Sequence, residues 1–214
     1  MKTIGLIGGI SWQSTVVYYQ VINRRTNELL GGSHSARVLL NSVDFDEVAR
    51  MQHEGRWDDF QELLIDAAKS LERGGADFFL ICANTPHIVA DGVEKAVGIP
   101  LVHIGDAVGE TIKAAGMTKV GLLGTRFTME NDFLKVRLRE NFGIESIVPE
   151  KEDRDPATRC LLFAPECFEQ IRPWHPLADR QPQQARYPNQ RHPVGDTQVA
   201  LNHRIPKRGI CLAS

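Results

Sequence analysis

The sequence predicts an α/β protein built from parallel, doubly wound βα units, on three observations. Residues 1–155 alternate short apolar runs with amphipathic stretches, the pattern of strands buried on both faces and helices buried on one. The apolar runs lead directly into helix-start signals, so each strand is followed by a crossover helix rather than a hairpin. Glycine pairs at Gly31-Gly32 and Gly74-Gly75 close two of the amphipathic stretches. Ligands of such sheets bind outside the carboxyl ends of the strands, which directs attention to Gly8–Trp12, Ser42–Asp44, Cys82–His87 and Gly124–Thr128.

The elements follow in order. Thr3–Ile7 reads as a buried strand ending in Gly8-Gly9. Ser11 is the N-cap expected for a helix from Trp12 to Leu30. Arg37–Asn41 is a second strand, and Asp58–Arg73 is a helix with Phe60, Leu63, Leu64, Ala67 and Leu71 on one face. Asp77–Ile81 is a third strand, followed by a helix from Pro86 to about Ala96. Pro100–Ile104 is expected as a fourth strand before a helix over Ala107–Ala115. Lys119–Leu123, a helix from about Met129 to Asn141 and a strand at Ile144–Val148 complete the series. This organisation divides the chain into a first unit over residues 1–100, the start of a second over 101–155, and a different segment over 156–214.

Composition sets that last segment apart. The 214 residues are 42% hydrophobic and 24% charged, ordinary for a protein with a packed core. Residues 1–155 carry 17 basic and 23 acidic side chains, whereas residues 156–214 carry 8 and 4, with 8 of the 11 prolines and only 2 of the 18 glycines. Pro173, Pro176, Pro182, Pro188 and Pro193 leave no helix-length window between them. A poorly ordered tail that leaves apolar faces of the second unit uncovered is the expectation.

A formal net charge of −2 gives no basic footprint for nucleic acid or a membrane surface. No apolar run reaches the roughly 18 residues of a spanning helix, and the glycine-broken start does not read as a signal peptide. The four cysteines include no Cys-x-x-Cys pair, and the histidines have no metal-ligand spacing, so neither a disulfide framework nor a metal site is expected. A soluble cytoplasmic protein fits these features.

The sharpest motif is Cys82-Ala83-Asn84-Thr85-Pro86-His87 behind the apolar run Phe78–Ile81. Thr85 suits an N-cap and Pro86 the first helical position. Cys82 would then face the positive end of a helix, a setting that lowers a thiol pKa from about 8.5. The turn's N–H groups, with the Asn84 and Thr85 side chains, could hold a carboxylate. The same position suits a buried structural cysteine at the end of an apolar strand. His87 reads as an ordinary first-turn histidine rather than the base of a Cys–His pair. Gly5-x-x-Gly8-Gly9, with Asp44 and Asp46, leaves a nucleotide-binding alternative that lacks the Gly-x-Gly-x-x-Gly order. Thr128, with Thr125 beside it, reads as the N-cap of the late helix.

Taken with Gly8–Thr15, Tyr18-Tyr19, Gly32–Ala36, Ser42–Phe45 and Gly124–Met129, the Cys82-Ala-Asn-Thr turn resembles the aspartate/glutamate racemase family over about residues 1–155, most closely its bacterial amino-acid racemase branch. Ile10 and Gln13 stand where that branch usually has Met and Glu. The resemblance implies two similar α/β lobes, the second incomplete here, with the active site between them. It also implies an enzyme without cofactors, interconverting L- and D-aspartate or glutamate through a cysteine thiolate and a cysteine thiol on opposite faces of the α-carbon. By position in the motif Cys82 is one of these. Ser11, Gln52, Asn84, Thr85, Thr125 and Thr128 occupy positions the family turns toward its small-molecule substrate. Homodimers are common in the family.

The family's second cysteine lies in a Gly-Cys-Thr-Glu turn that this sequence lacks. Cys160, Cys167 and Cys211 have none of its neighbours, although Cys167-Phe168 and Ile171-Arg172-Pro173 read as remnants of the pattern. The compositional break suggests a shifted reading frame or a replaced C-terminus. A racemase-derived domain that binds an acidic amino acid, or nothing, is therefore the alternative. Relatives that decarboxylate or isomerise small diacids with one cysteine keep the later cysteine, which ranks that chemistry third.

Overall fold

The computed structural model describes residues 1–155 and 211–212. Two parallel three-stranded sheets form around separate cores. In the first, β1 (Thr3–Gly8) lies between β2 (Arg37–Ser42) and β3 (Phe78–Ile81), with Leu6 opposite Leu40 on one side and Leu80 on the other. In the second, β4 (Lys119–Leu122) lies between β5 (Glu145–Ile147) and β6 (Cys211–Leu212). Every pairing is parallel, as expected of the fold class. The tail expected over residues 156–214 lies outside the described residues apart from β6.

The central position of β1 explains its composition, since Leu6 and Ile7 are fully buried. Helix α1 (Trp12–Leu30) starts where Ser11 accepts a hydrogen bond from the Ser14 N–H, as the capping pattern predicts. Its end is tied by Asn27, whose amide donates to the Gly32 carbonyl oxygen at 2.7 Å. Helix α3 (Trp57–Arg73) buries Phe60, Leu64, Ala67 and Leu71 against the first sheet. Burial of such side chains stabilises by roughly 1.5–3 kcal/mol each.

Four expectations need correction. A helix, α2 (Phe45–Glu54), occupies a stretch with no predicted element. Asp44 caps it by accepting from the Asp46 N–H at 3.2 Å, which gives Asp44 a structural task. Pro100–Ile104 is no strand: only Leu101 bridges to Phe79, because His103 turns the chain out of the sheet to cap α5 (Ile104–Ala114). The helix expected from Pro86 is a 3-10 turn, Thr85–Val89, continuing into α4 (Ala90–Lys95), and Thr85 lies within it rather than capping it. The late helix is two, α6 (Arg126–Glu130) and α7 (Phe133–Phe142), broken where Asn131 is extended. Thr128 therefore sits inside α6, with no capping role.

Apolar surface is exposed in both units, with Val102 and Ile147 in the second. Among the described residues it lies mainly on α1 of the first unit, where Trp12, Val16, Val17, Tyr19, Val21, Leu29 and Leu30 are exposed. Only Thr15 of α1 is fully buried.

Several contacts join the units. Phe127 of α6 meets Trp57 of α3 edge-on, with ring centroids 5.9 Å apart. The Thr85 hydroxyl meets those of Thr125 and Thr128. His87 packs against His103 at 4.5 Å beside Arg137 of α7, which grips Asp106 of α5 through bonds of 2.7 and 2.6 Å and faces Asp91 of α4 at 3.7 Å.

Two predictions follow from this packing. Gly9 holds a φ of 86°, and a Cβ there would stand 2.0 Å from the Val43 carbonyl oxygen. Gly9→Ala should cost about 2–4 kcal/mol, measured by denaturant unfolding, because both the backbone conformation and the space are forbidden. The histidine pair should make the fold acid-labile. Burial, reinforced by the neighbouring charge of His103 on His87 and of Arg137 on both, lowers the His87 pKa to about 3 and that of His103 to about 4, against an opposing pull from Asp106 on His103. The unfolded chain binds these protons first, so stability is full above about pH 6.5 and falls as pH drops toward 4. Unfolding free energies measured across that window should decline by a few kcal/mol, on the order of one per pH unit for each ring. A flat profile would contradict the pairing.

Candidate active site

The carboxyl ends of β1, β3 and β4 converge with the starts of their following helices. At β1 the chain passes through Gly8-Gly9, whose close approach lets the Gly9 N–H donate to the Thr15 hydroxyl at 3.1 Å. At β3 the Cys82 N–H donates to the Ile7 carbonyl oxygen at 2.9 Å, extending the sheet by one bond past the strand. The Ser14 hydroxyl donates to the Cys82 carbonyl oxygen, so the start of α1 is fastened to the turn that carries the thiol.

At β4 the chain passes Gly124, where a Cβ would lie 2.9 Å from Thr128. Glycine lets α6 fold back tightly enough for Thr125 and Thr128 to bring their hydroxyl oxygens within 3.2 Å. Thr85 completes a triangle, 3.2 Å from the Thr125 hydroxyl and 3.5 Å from that of Thr128. Thr128 is fully buried, whereas Thr85 and Thr125 are half-buried. Three hydroxyls drawn from two sheets form a donor set suited to carboxylate oxygens.

Of the residues singled out in the sequence, Cys82, Asn84, Thr85, Thr125 and Thr128 lie in this convergence zone. Asn84 is half-buried, and its side chain caps no helix. Ser11 lies at the start of α1, its hydroxyl donating to Gln13 at 3.1 Å. Gln52 lies on α2 with its amide nitrogen enclosed and without a hydrogen-bond partner among the described residues. Its neighbour His53 packs against Phe127, which places this turn of α2 beside α6. A buried, unanswered donor is costly, on the order of 1–3 kcal/mol, unless a ligand supplies its acceptor.

The expected low thiol pKa is overturned. Cys82 is 1% exposed, and burial pushes its pKa up to about 12. The positive end it was to face is a 3-10 turn of five residues, too short to offset desolvation. Tyr18, one face of α1 along from Ser11 and Ser14, is also raised to about 12, by burial first and by Cys82 second. Tyr18 is the neighbour of the thiol that site reasoning missed. The spacing Ser11, Ser14, Thr15, Tyr18 on one helical face was the available signal. His87 makes no bond to the thiol; it turns to the Asn84 carbonyl oxygen instead. Among the described residues no group of three or more His, Cys, Asp and Glu could hold a metal ion, and no helix is long and apolar enough to cross a membrane.

The thiol's state is directly measurable. With no plateau short of its pKa, the alkylation rate of Cys82 in the ligand-free protein should rise about tenfold per pH unit from pH 7 to 10. A plateau near pH 8 would mean a thiolate stabilised in the way the motif first suggested.

The sequence and fold resemble those of known proteins. A Yersinia pestis protein described as an Asp/Glu racemase is 43% identical and superposes with a TM-score of 0.74, over 81% of this chain and 80% of that one. An aspartate racemase homologue from Pyrococcus horikoshii OT3 is 39% identical with a TM-score of 0.68, over 76% and 71% of the two chains. The broad specificity amino-acid racemase RacX of Bacillus subtilis (strain 168) is 27% identical over 145 residues, which are 64% of this chain and 61% of RacX. The chain thus spans about three-fifths of that relative's length. The sequence model of the Asp/Glu/Hydantoin racemase family matches residues 7–172, a stretch that runs past residue 155 and takes in Cys167-Phe168. The chain belongs to the Asp/Glu/Hydantoin racemase family.

Proposed function

We propose that this chain is an isomerase-type protein acting at the α-carbon of an acidic amino acid, aspartate or glutamate, without a cofactor. The observation that carries the reading is the Thr85–Thr125–Thr128 hydroxyl triangle beside the turn bearing Cys82. The substrate would lie between the units over residues 1–100 and 101–155. Asn84 and the three threonines would hold its carboxylates, with Ser11 and the unanswered amide of Gln52 at the margin.

Cys82 would exchange a proton with the α-carbon. As thiol it gives its proton to the carbanion, leaving a thiolate; in the reverse direction the thiolate takes the α-hydrogen and becomes a thiol. With a pKa of about 12 in the free protein, Cys82 rests as the proton donor. The substrate ammonium, brought next to a buried sulfur, would favour the thiolate and let the same group act as base. Inversion needs a second acid on the opposite face, a role for which Cys160, Cys167 and Cys211 are the candidates by residue type alone. A homodimer and a cytoplasmic setting complete the proposal.

The raised thiol pKa favours one second reading: a racemase-derived domain that binds an acidic amino acid with impaired turnover. Incubation in D₂O with each enantiomer of aspartate and glutamate separates the two. Exchange of the α-proton with inversion supports the full racemase, and exchange from one enantiomer with retention means Cys82 works alone. Heat-shift stabilisation by aspartate without exchange supports the binding domain, and neither effect rejects both readings.

Cys82→Ala should lower any exchange by about 10²–10⁴-fold, the usual contribution of a positioned acid or base. Thr125→Val should weaken aspartate binding by about tenfold, since a carboxylate loses one donor worth roughly 1–1.5 kcal/mol. Circular dichroism should show both variants folded, and unchanged exchange in the Cys82 variant would remove the mechanism.

A further inference from the structure

The turn carrying Cys82, Asn84 and Thr85 is held by an imidazole that the proton transfer does not use. His87 is 3% exposed, and its Nδ1 lies 3.2 Å from the Asn84 carbonyl oxygen. A carbonyl only accepts, so Nδ1 carries the proton. Nε2 is then bare, enclosed and without a hydrogen-bond partner among the described residues. His103 packs edge-on against this ring, its centroid 4.5 Å away. Its Nδ1 accepts the Gly105 N–H at 2.9 Å, which fixes the opposite tautomer, with the proton on Nε2.

Backbone groups therefore fix both tautomers, and burial holds both rings neutral, against the pull of the Asn84 and Ala83 carbonyls on His87. Charging His87 would place a new N–H on Nε2, a buried atom without a hydrogen-bond partner among the described residues. Charging His103 would put a proton on the nitrogen that caps α5. The surrounding charges agree with this. Arg137 of α7 faces the pair and opposes further positive charge, while its own cation is held by Asp106 of α5 and faces Asp91 and Glu94 of α4.

We propose that His87 is a positioning residue for the Cys82–Thr85 turn, its Nδ1–H anchoring the Asn84 carbonyl while His103 braces the ring. The placement of the thiol and of the Thr85 hydroxyl thus depends on a neutral imidazole pair at the junction of the two units. The inference rests on reading this turn as part of the active site, but its test needs no substrate.

The test begins with the full chain labelled with ¹⁵N-histidine, whose long-range ¹H–¹⁵N correlations read tautomers directly, assigned through His87→Asn and His103→Asn. The expected result is an Nδ1–H tautomer for His87, an Nε2–H tautomer for His103, and no protonation of either at about pH 5.5. Peptide-resolved alkylation of Cys82 by iodoacetamide then reads the turn itself. His87→Leu should raise the rate by about tenfold or more through local opening. His87→Asn, whose amide N–H can reach the same carbonyl, should stay within about threefold of the parent protein.

An Nε2–H tautomer for His87, its titration above pH 6, or equal alkylation rates in a folded His87→Leu variant would overturn the proposal. If His87→Leu does not fold, the tautomers of the parent protein decide. An intact anchor without α-proton exchange would reject the racemase reading and leave the anchor standing.

Discussion

Everything at the site depends on one constraint, the burial of the Cys82–His87 turn between two sheets. The turn leaves β3 with its first N–H still bonded to β1, accepts the Ser14 hydroxyl from α1, and turns its far end into the second unit. There the Thr85 hydroxyl meets those of Thr125 and Thr128, and His87 meets His103. Each unit alone would leave the Thr85, Thr125 and Thr128 hydroxyls without their partners across the junction. The junction brings the hydroxyls together as a preorganised donor set, next to a turn whose buried thiol is a desolvated acid.

The same burial sets the electrostatics. In a polar, open turn the N–H groups at a helix start would favour a thiolate. Here the helix is one 3-10 turn and the sulfur is enclosed, so desolvation wins and Cys82 is held as a thiol. Both buried histidines are likewise pushed toward their neutral forms. The junction therefore carries little net charge of its own before an acidic ligand arrives. The Arg137–Asp106 pair beside it is arranged as a bidentate clamp that neutralises the nearest cation.

Much of this was legible in the sequence, and the exceptions have physical causes. Strand runs such as Thr3–Ile7 and Phe78–Ile81 announce themselves because buried parallel strands are apolar throughout. The Ser11 cap and the glycine ends of α1 and α3 are local signals and read correctly. Pro100–Ile104 misled because only Leu101 joins the sheet, through a single bridge to Phe79, while Val102 is exposed and His103 turns into a helix cap, a distinction that an apolar run does not carry. Helix α2 was hidden because Asp44 and Asp46 invited a ligand reading when one of them is a cap. Thr85 was legible as a candidate in the Cys82 turn itself, whereas Thr125 and Thr128 were candidates through family resemblance alone. That they touch across 40 or more residues of chain is a tertiary fact with no local signature. The thiol pKa was misjudged for a related reason: the helix start is local, whereas burial is supplied by the whole fold.

The most direct test of the account is an NMR titration of the chain carrying ¹³Cβ-labelled cysteine, with Cys82 assigned by substitution. The account predicts a Cys82 resonance at the thiol position up to about pH 10 without ligand. Saturating aspartate or glutamate should shift it, and the shift should vanish in Thr125→Val. A Cys82 resonance that titrates near pH 8, or one indifferent to every acidic amino acid, would contradict the claim that a buried thiol and a cross-sheet hydroxyl triangle form one site.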